Sequence, residues 1–244
     1  MRRAPLVAEI AGRFARDALA LGEGEVCAAF RRSFYLRFPG ERFACIGDAS
    51  LGCGPLNALL ADWHPAAIGD RLAVSAASIW QPQPLPVKFL SVGAAQVPEE
   101  GLGCLLVGRH NALAEHALPA LEGLDEWLRH GLAVPAEVET LIGLGPGLTP
   151  SGDDYLGGMM VALQALARDS QVHALWRWLQ PRLATRTSAL SAAHLAAAAA
   201  GEAHEALHRV LQAPSPSSLA ALSAVGHCSG WDALAGAAAV LRAS

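Results

Sequence analysis

The period of the apolar positions changes near the middle of the chain. From Glu25 to about Gly108, short apolar runs alternate with turn residues. "EVCAAFRRSFYLRF" and "RFACIGDA" flank Pro39-Gly40, which predicts a hairpin, and "GPLNALLA", "DRLAVSA" and "LGCLLVG" are further runs bounded by Gly, Pro or Asp. "IWQPQPLPVKF" carries prolines at 82, 84 and 86 and predicts an extended crossing or edge segment. From Asn111 the spacing becomes helical. "NALAEHALPALEGLDEWLRHGL", "PAEVETLI", "SGDDYLGGMMVALQALAR", "VHALWRWLQ", the long "ATRTSALSAAHLAAAAAGEAHEALHRVLQ" and "DALAGAAAVLRA" follow in turn, with "APSPSS" as a short connector. The pattern predicts an α+β chain: a β-rich domain over 1–110, built as a small sheet or barrel, packed with a helical domain over 111–244 that holds a glycine-rich loop.

Composition narrows the function classes. The chain has 244 residues, 52% hydrophobic and 16% charged, with a net charge of −4, so it lacks the concentrated basic face of a nucleic-acid binder. Lys88 is the only lysine, and a phosphate-loop or Schiff-base lysine would have to be that residue. The five cysteines show no C-x-x-C spacing, which suggests reduced thiols in a cytoplasmic protein. The first twenty residues lack a clean apolar secretory core, and no run reaches the roughly 18 apolar residues of a membrane span.

The least ordinary stretch is "GLGPGLTPSGDDYLGG", residues 143–158, with six glycines and two adjacent aspartates ahead of a helical run. "SGDDYLGGMMVAL" from Ser151 aligns without gaps to "SGWDALAGAAAVL" from Ser229, which suggests two related loop-to-helix entries across a pseudo-twofold. Each copy contains Ser-x-x-Asp, the spacing of a capping box; Thr149-Pro150 offers a competing helix start. A helix start bears free N–H groups and partial positive charge, so Gly145, Gly147, Thr149, Ser151 and Gly152 are candidates for seating a carboxylate or phosphate. One cap uses one carboxylate and leaves another over. Asp153 and Asp154 are therefore candidates for a catalytic role, as ligands of Mg²⁺ or as a general base. Ser229 and Asp232 are the equivalent candidates in the second copy. The run has neither G-K-[ST] nor the spacing of a dinucleotide fingerprint, so no nucleotide cofactor is predicted.

A second polar cluster lies at "RLATRTSALSAAHL", where Thr187, Ser191 and His194 would share one helical face with Ser188 beside them. Arg186 and these hydroxyls suit a planar anion; small residues packing on a neighbour is the other reading. "HEALH", His204 to His208, matches the zincin spacing, but no glutamate follows Glu205 as a downstream ligand, and no zinc is predicted. His227 and Cys228, just before Ser229, have the residue types of a nucleophile–base pair, with no obvious orienting carboxylate other than Asp232.

The run G-x-G-x-x-T-P-S-G-D-D, with "TRTSALSAAHLAAAAAGEAHEALHRVL", "GHCSGWDALAG", "LGCGPLN" and "IWQP", resembles a bacterial family, long a domain of unknown function, that includes the AllH-type subunit of oxamate carbamoyltransferase. The resemblance implies a role in allantoin and purine nitrogen catabolism. The reaction exchanges oxalurate plus phosphate with oxamate plus carbamoyl phosphate, and two other transferase subunits take part. Every participant is a small anion. A non-catalytic assembly or ligand-binding subunit, and a stand-alone metal-dependent hydrolase, are the competing roles.

Overall fold

The computed structural model describes residues 6–85, 87, 96–131 and 133–244; Lys88 and much of the proline-rich segment lie outside them. The chain is α+β and separates into two compact units, Met1–Gln83 and Pro84–Ser244.

The first unit is a small barrel. Strands β1 (Leu6–Gly12), β2 (Glu23–Ala29), β3 (Ser33–Phe38), β4 (Arg42–Asp48), β5 (Asn57–Leu60) and β6 (Arg71–Ala76) run in the order β5-β4-β3-β2-β6-β1, and β1 pairs back to β5 to close the ring. The short β7 (Ile79–Trp80) adds to β1. The Pro39-Gly40 hairpin joins β3 and β4 in antiparallel register, Phe38 opposite Arg42. Alternation places Val26, Phe34, Leu36, Phe38, Ala44 and Ile46 in the core. One helix, α1 (Arg13–Leu19), lies within this unit and buries Ala15, Ala18 and Leu19. Closure leaves few strand edges exposed.

The second unit is helical: α2 (Ala112–His130), α3 (Ser151–Ala165), α4 (Asp169–Arg186), α5 (Ala189–Ala199), α6 (Glu205–Gln212), α7 (Pro216–Ser223) and α8 (Ser229–Arg242). Its core gathers Trp127, Trp231, Leu124, Leu156, Met159 and Leu234.

Several expectations change here. "LGCLLVG" forms a 3₁₀ turn over Leu102–Val107, not a strand, and its Leu102 and Cys104 belong to the helical core, so the compact units divide at 83/84 although the change of period placed the boundary at 110. "PAEVETLI" is likewise a 3₁₀ turn, over Ala136–Leu141. The long helical run from Ala184 breaks twice. Thr187 is extended and Ser188 caps α5 through the Ser191 N–H at 3.0 Å, while Gly201 takes a left-handed conformation before α6. "APSPSS" contains the Ser215 cap of α7, with a full capping box to Ser218. Among the described residues no helix is long and apolar enough to cross a membrane.

Candidate functional site

The repeat seen in the sequence is a pair of crossed helices. A Cβ built on Gly158 of α3 would lie 1.8 Å from the Ala233 carbonyl oxygen of α8, and one built on Gly236 of α8 would lie 1.9 Å from the Tyr155 carbonyl oxygen of α3. When the two repeats are aligned, Gly158 matches Gly236 and Tyr155 matches Ala233, so each contact is the image of the other. Only glycine permits this backbone-to-backbone approach. It brings the first turns of the two helices together.

Neither copy is a capping box. α3 starts with Pro150 in the N-cap position and α8 with Cys228, and neither makes a side-chain cap bond; Ser151 and Ser229 are already the first helical residues. One position further in, each aspartate lies between a partner at its own helix start and one at the other. Ser229 and Thr149 favour ionised Asp154, while Cys228 and Ser151 do the same for Asp232. Thr149 Oγ1 and Ser229 Oγ are 3.1 Å apart, and Ser151 Oγ lies 3.6 Å from Cys228 Sγ. Each aspartate thus shares one partner with its own helix start and one with the other.

Burial dominates the electrostatics. Desolvation raises the carboxyls of Asp154 and Asp232, and for Asp154 the neighbouring charges of Asp232 and Asp153 add to it. Asp232 is fully buried. Its Oδ1 accepts the Gly103 N–H at 2.7 Å, which ties α8 to the start of the Leu102–Val107 turn. Oδ2 of Asp232 and Oδ2 of Asp154 are both shut away from solvent without a hydrogen-bond partner. Burial and the adjacent Asp232 carboxylate push the Cys228 thiol up to about 12, opposite to the shift that activates a nucleophilic cysteine, and His227 beside it is exposed.

Asp153 has a different environment. Its Oδ1 accepts the Gly143 N–H at 2.9 Å, and its Oδ2 accepts Ser191 Oγ–H at 2.6 Å together with the Thr187 hydroxyl. It joins the glycine loop to the α4–α5 junction, and Gly143 itself presses so close that a Cβ would sit 2.1 Å from the Arg186 carbonyl oxygen. Thr187 and Ser191 therefore meet on one carboxylate although no single helical face carries them. Both oxygens of Asp153 are engaged by protein donors, and among the described residues no three His, Cys, Asp or Glu side chains gather in a way that could hold a metal ion.

The remaining candidates are dispersed around this centre. Gly145 and Gly147 have positive φ in the loop, and the Gly152 N–H is taken by the Leu144 carbonyl at 2.9 Å. Ser188 Oγ–H donates to the Leu148 carbonyl at 2.9 Å and so pins the loop. The Arg186 guanidinium is paired with Glu139. In "HEALH", His204 lies before α6 and accepts the Ala206 N–H, while His208 Nε2 accepts the Ala203 N–H at 3.0 Å; the two imidazoles organise a helix start and do not share a helical face. Sequence reasoning missed Gly103 and Gly101. A Cβ on Gly101 would lie 2.5 Å from Asp232 Oδ1, and only the loss of strand character in "LGCLLVG" could have hinted at it.

The class defined by this second unit is a helical domain with a duplicated, crossed pair of helix starts bearing buried acids. Residues 141–241, which contain both copies, match the family model described as oxamate carbamoyltransferase subunit AllH. Over that stretch the chain is similar to the AllH family. No curated protein and no solved structure matches the chain.

Proposed function

We propose that the chain serves as the AllH-type subunit of a multi-subunit oxamate carbamoyltransferase in allantoin nitrogen catabolism in the cytoplasm, and that its share of the chemistry lies where α3 and α8 cross. The observation that carries this reading is the pair Asp154 and Asp232, whose Oδ2 atoms are buried and unpartnered inside the segment that matches the family model. Buried polar groups left without partners cost stability, and such costs concentrate at functional sites. In this reading Asp154 and Asp232 touch substrate, Thr149, Ser151 and Ser229 line the crossing, and Asp153 acts as a positioning residue for the loop Gly143–Thr149. The small anions expected as substrates, carbamoyl phosphate and oxalurate, each carry a carbamoyl group.

The test is reconstitution of the complex from this chain and its two partner subunits, followed by carbamoyl transfer from carbamoyl phosphate to oxamate. Asp232→Asn in a correctly assembled complex should lower turnover by at least about a hundredfold, the lower end of what a positioned acid–base group supplies. Full turnover with both Asp154→Asn and Asp232→Asn would assign the chain to assembly instead.

A further inference from the structure

The first turns of α3 and α8 already hold three carboxyl groups of their own, Asp153, Asp154 and Asp232. Helix starts favour negative charge, and here the protein supplies it. Asp153 is fully occupied by the Gly143 N–H, Thr187 and Ser191, and Asp232 Oδ1 by the Gly103 N–H. What is left is acceptor capacity: two buried carboxyl oxygens, Asp154 Oδ2 and Asp232 Oδ2, with no donor. The hydroxyls of Thr149 and Ser229 contact each other and already lie against Asp154, as Cys228 and Ser151 lie against Asp232, and the guanidinium of Arg186, expected as an anion partner, is paired with Glu139. A phosphate or carboxylate brought to this point would meet like charge. An uncharged donor would not.

We infer that the crossing of α3 and α8 receives the amide end of the ligand, an NH₂ group donating one N–H to Asp154 Oδ2 and the other to Asp232 Oδ2, while the anionic end lies elsewhere. This rests on the proposed carbamoyl-transfer role and specifies which half of the substrate this chain reads. A planar amide offers two N–H donors and asks for two acceptors, and the equivalent aspartates supply one from each repeat. The selectivity follows from the cost of leaving those acceptors unpaired. A ligand of the same shape without the NH₂ gains nothing there, and sites built to bond a polar group reject analogues lacking it strongly. Thr149, Cys228 and Ser229 beside the acids are half-buried, so the crossing reaches the surface on that side.

Oxamate and pyruvate make the test, since they have the same charge and shape and differ by an amide nitrogen against a methyl. Calorimetric titration of the full chain should show oxamate binding at least about tenfold more tightly than pyruvate. Asp232→Asn keeps an oxygen for the Gly103 N–H and turns an NH₂ toward the ligand. It should erase most of that ratio while leaving the circular dichroism spectrum unchanged. Equal binding of the two compounds, binding of neither, or an unchanged ratio in Asp232→Asn overturns the inference. The two readings fail separately. Turnover by the reconstituted complex without amide selectivity in this chain would sink the amide site alone, and amide selectivity in a complex that transfers no carbamoyl group would sink the transferase role alone.

Discussion

The contact between α3 and α8 yields a sharp energetic prediction, because it is made twice by symmetry-related glycines. Real Cβ atoms essentially never approach a heavy atom within 3.0 Å, so Gly158→Ala, at 1.8 Å from the Ala233 oxygen, requires the helices to separate by at least about 1.2 Å. Gly236→Ala, at 1.9 Å from the Tyr155 oxygen, requires at least about 1.1 Å. A gap of about 1 Å forfeits up to half of the dispersion attraction across the separated face. Ordinary overpacking costs about 1–3 kcal/mol, and the displacement here puts the gross cost at or above about 4 kcal/mol. Alanine recovers about 1 kcal/mol over glycine through helix propensity, so each single variant should lose about 3 kcal/mol net.

The same separation relieves both clashes. Once Gly158→Ala has moved α8 away, Gly236→Ala finds the space already open. The double variant pays the shared cost of about 4 kcal/mol once and gains about 1 kcal/mol at each alanine, so it should lose about 2 kcal/mol, far short of the roughly 6 kcal/mol of simple addition, giving a coupling energy of about 4 kcal/mol in a double-mutant cycle. Urea unfolding followed by tryptophan fluorescence, with the slope checked for constancy across the four proteins, measures it. The buried Trp127 and Trp231 report on this unit. Additive losses would mean that the helices do not share one rigid contact, and losses under about 1 kcal/mol would mean that the backbones do not touch. Either result refutes the crossed geometry on which the site depends.

Four other outcomes follow from the local environments. Because burial raises the carboxyls of Asp154 and Asp232, their ionisation in the folded chain costs stability at neutral pH, and that cost disappears as pH falls below the folded values. Asp154→Asn should accordingly raise Tm at pH 7–8, with the gain shrinking in acid; a lower Tm at neutral pH would show that the ionised form is held by partners. Burial lowers His194 to about 4 against 6.5 for a free imidazole, so the unfolded chain takes up this proton first on acidification. Stability from His194 is intact above about pH 6.5 and falls toward pH 4 by about 3 kcal/mol, and His194→Leu should flatten that part of the curve in thermal scans at successive pH values. Asp153→Ala strands the Gly143 N–H and the Thr187 and Ser191 hydroxyls, so a loss of about 3 kcal/mol or more is expected in chemical denaturation. Ser188→Ala removes both the α5 cap and the bond to the Leu148 carbonyl, with a loss of about 1 kcal/mol and faster proteolysis in the loop Gly143–Thr149 as the readouts.

The legible and illegible parts of the chain divide along physical lines. Alternation and turn chemistry were enough for β3 and β4, because Phe34, Leu36 and Phe38 point to one core across a Pro-Gly turn. Barrel closure depends on β1 pairing with both β5 and β6, a long-range event with no local signature. Helical period identified α2, α3 and α8, but it could not mark the break at Thr187-Ser188, where the Asp153 carboxylate recruits Thr187 and Ser191 and overrides the local preference of an alanine-rich run. "LGCLLVG" read as a strand because a short apolar run looks alike in either state; its burial against Trp231 and its amide bond to Asp232 are tertiary facts. The repeat itself was readable, and so were the residues at the site. Their partners were not, since the spacing of Ser-x-x-Asp fits a local cap as well as contacts shared between two helix starts.

The alignment of the two helix starts resolves why one copy carries two adjacent aspartates and the other only one. In the aligned repeats Asp154 and Asp232 are equivalents, and Asp153 is matched by Trp231. Each partner at that position anchors its helix start, by different means. Asp153 gathers three donors from the loop and the α4–α5 junction, whereas Trp231 is 2% exposed and packs into the helical core against the backbone position of Gly103. With anchoring assigned to that position, the following aspartate in each copy can sit between its own helix start and the other. The frame is thus two-fold while its surroundings are not: the first copy adds the hydroxyl of Thr149 and a loop of left-handed glycines, and the second adds the thiol of Cys228 and the amide of Gly103. A symmetric pair of acceptors inside asymmetric walls suits one small ligand with a symmetric donor end and a distinct remainder, and an amide nitrogen carrying two hydrogens is the simplest group of that kind.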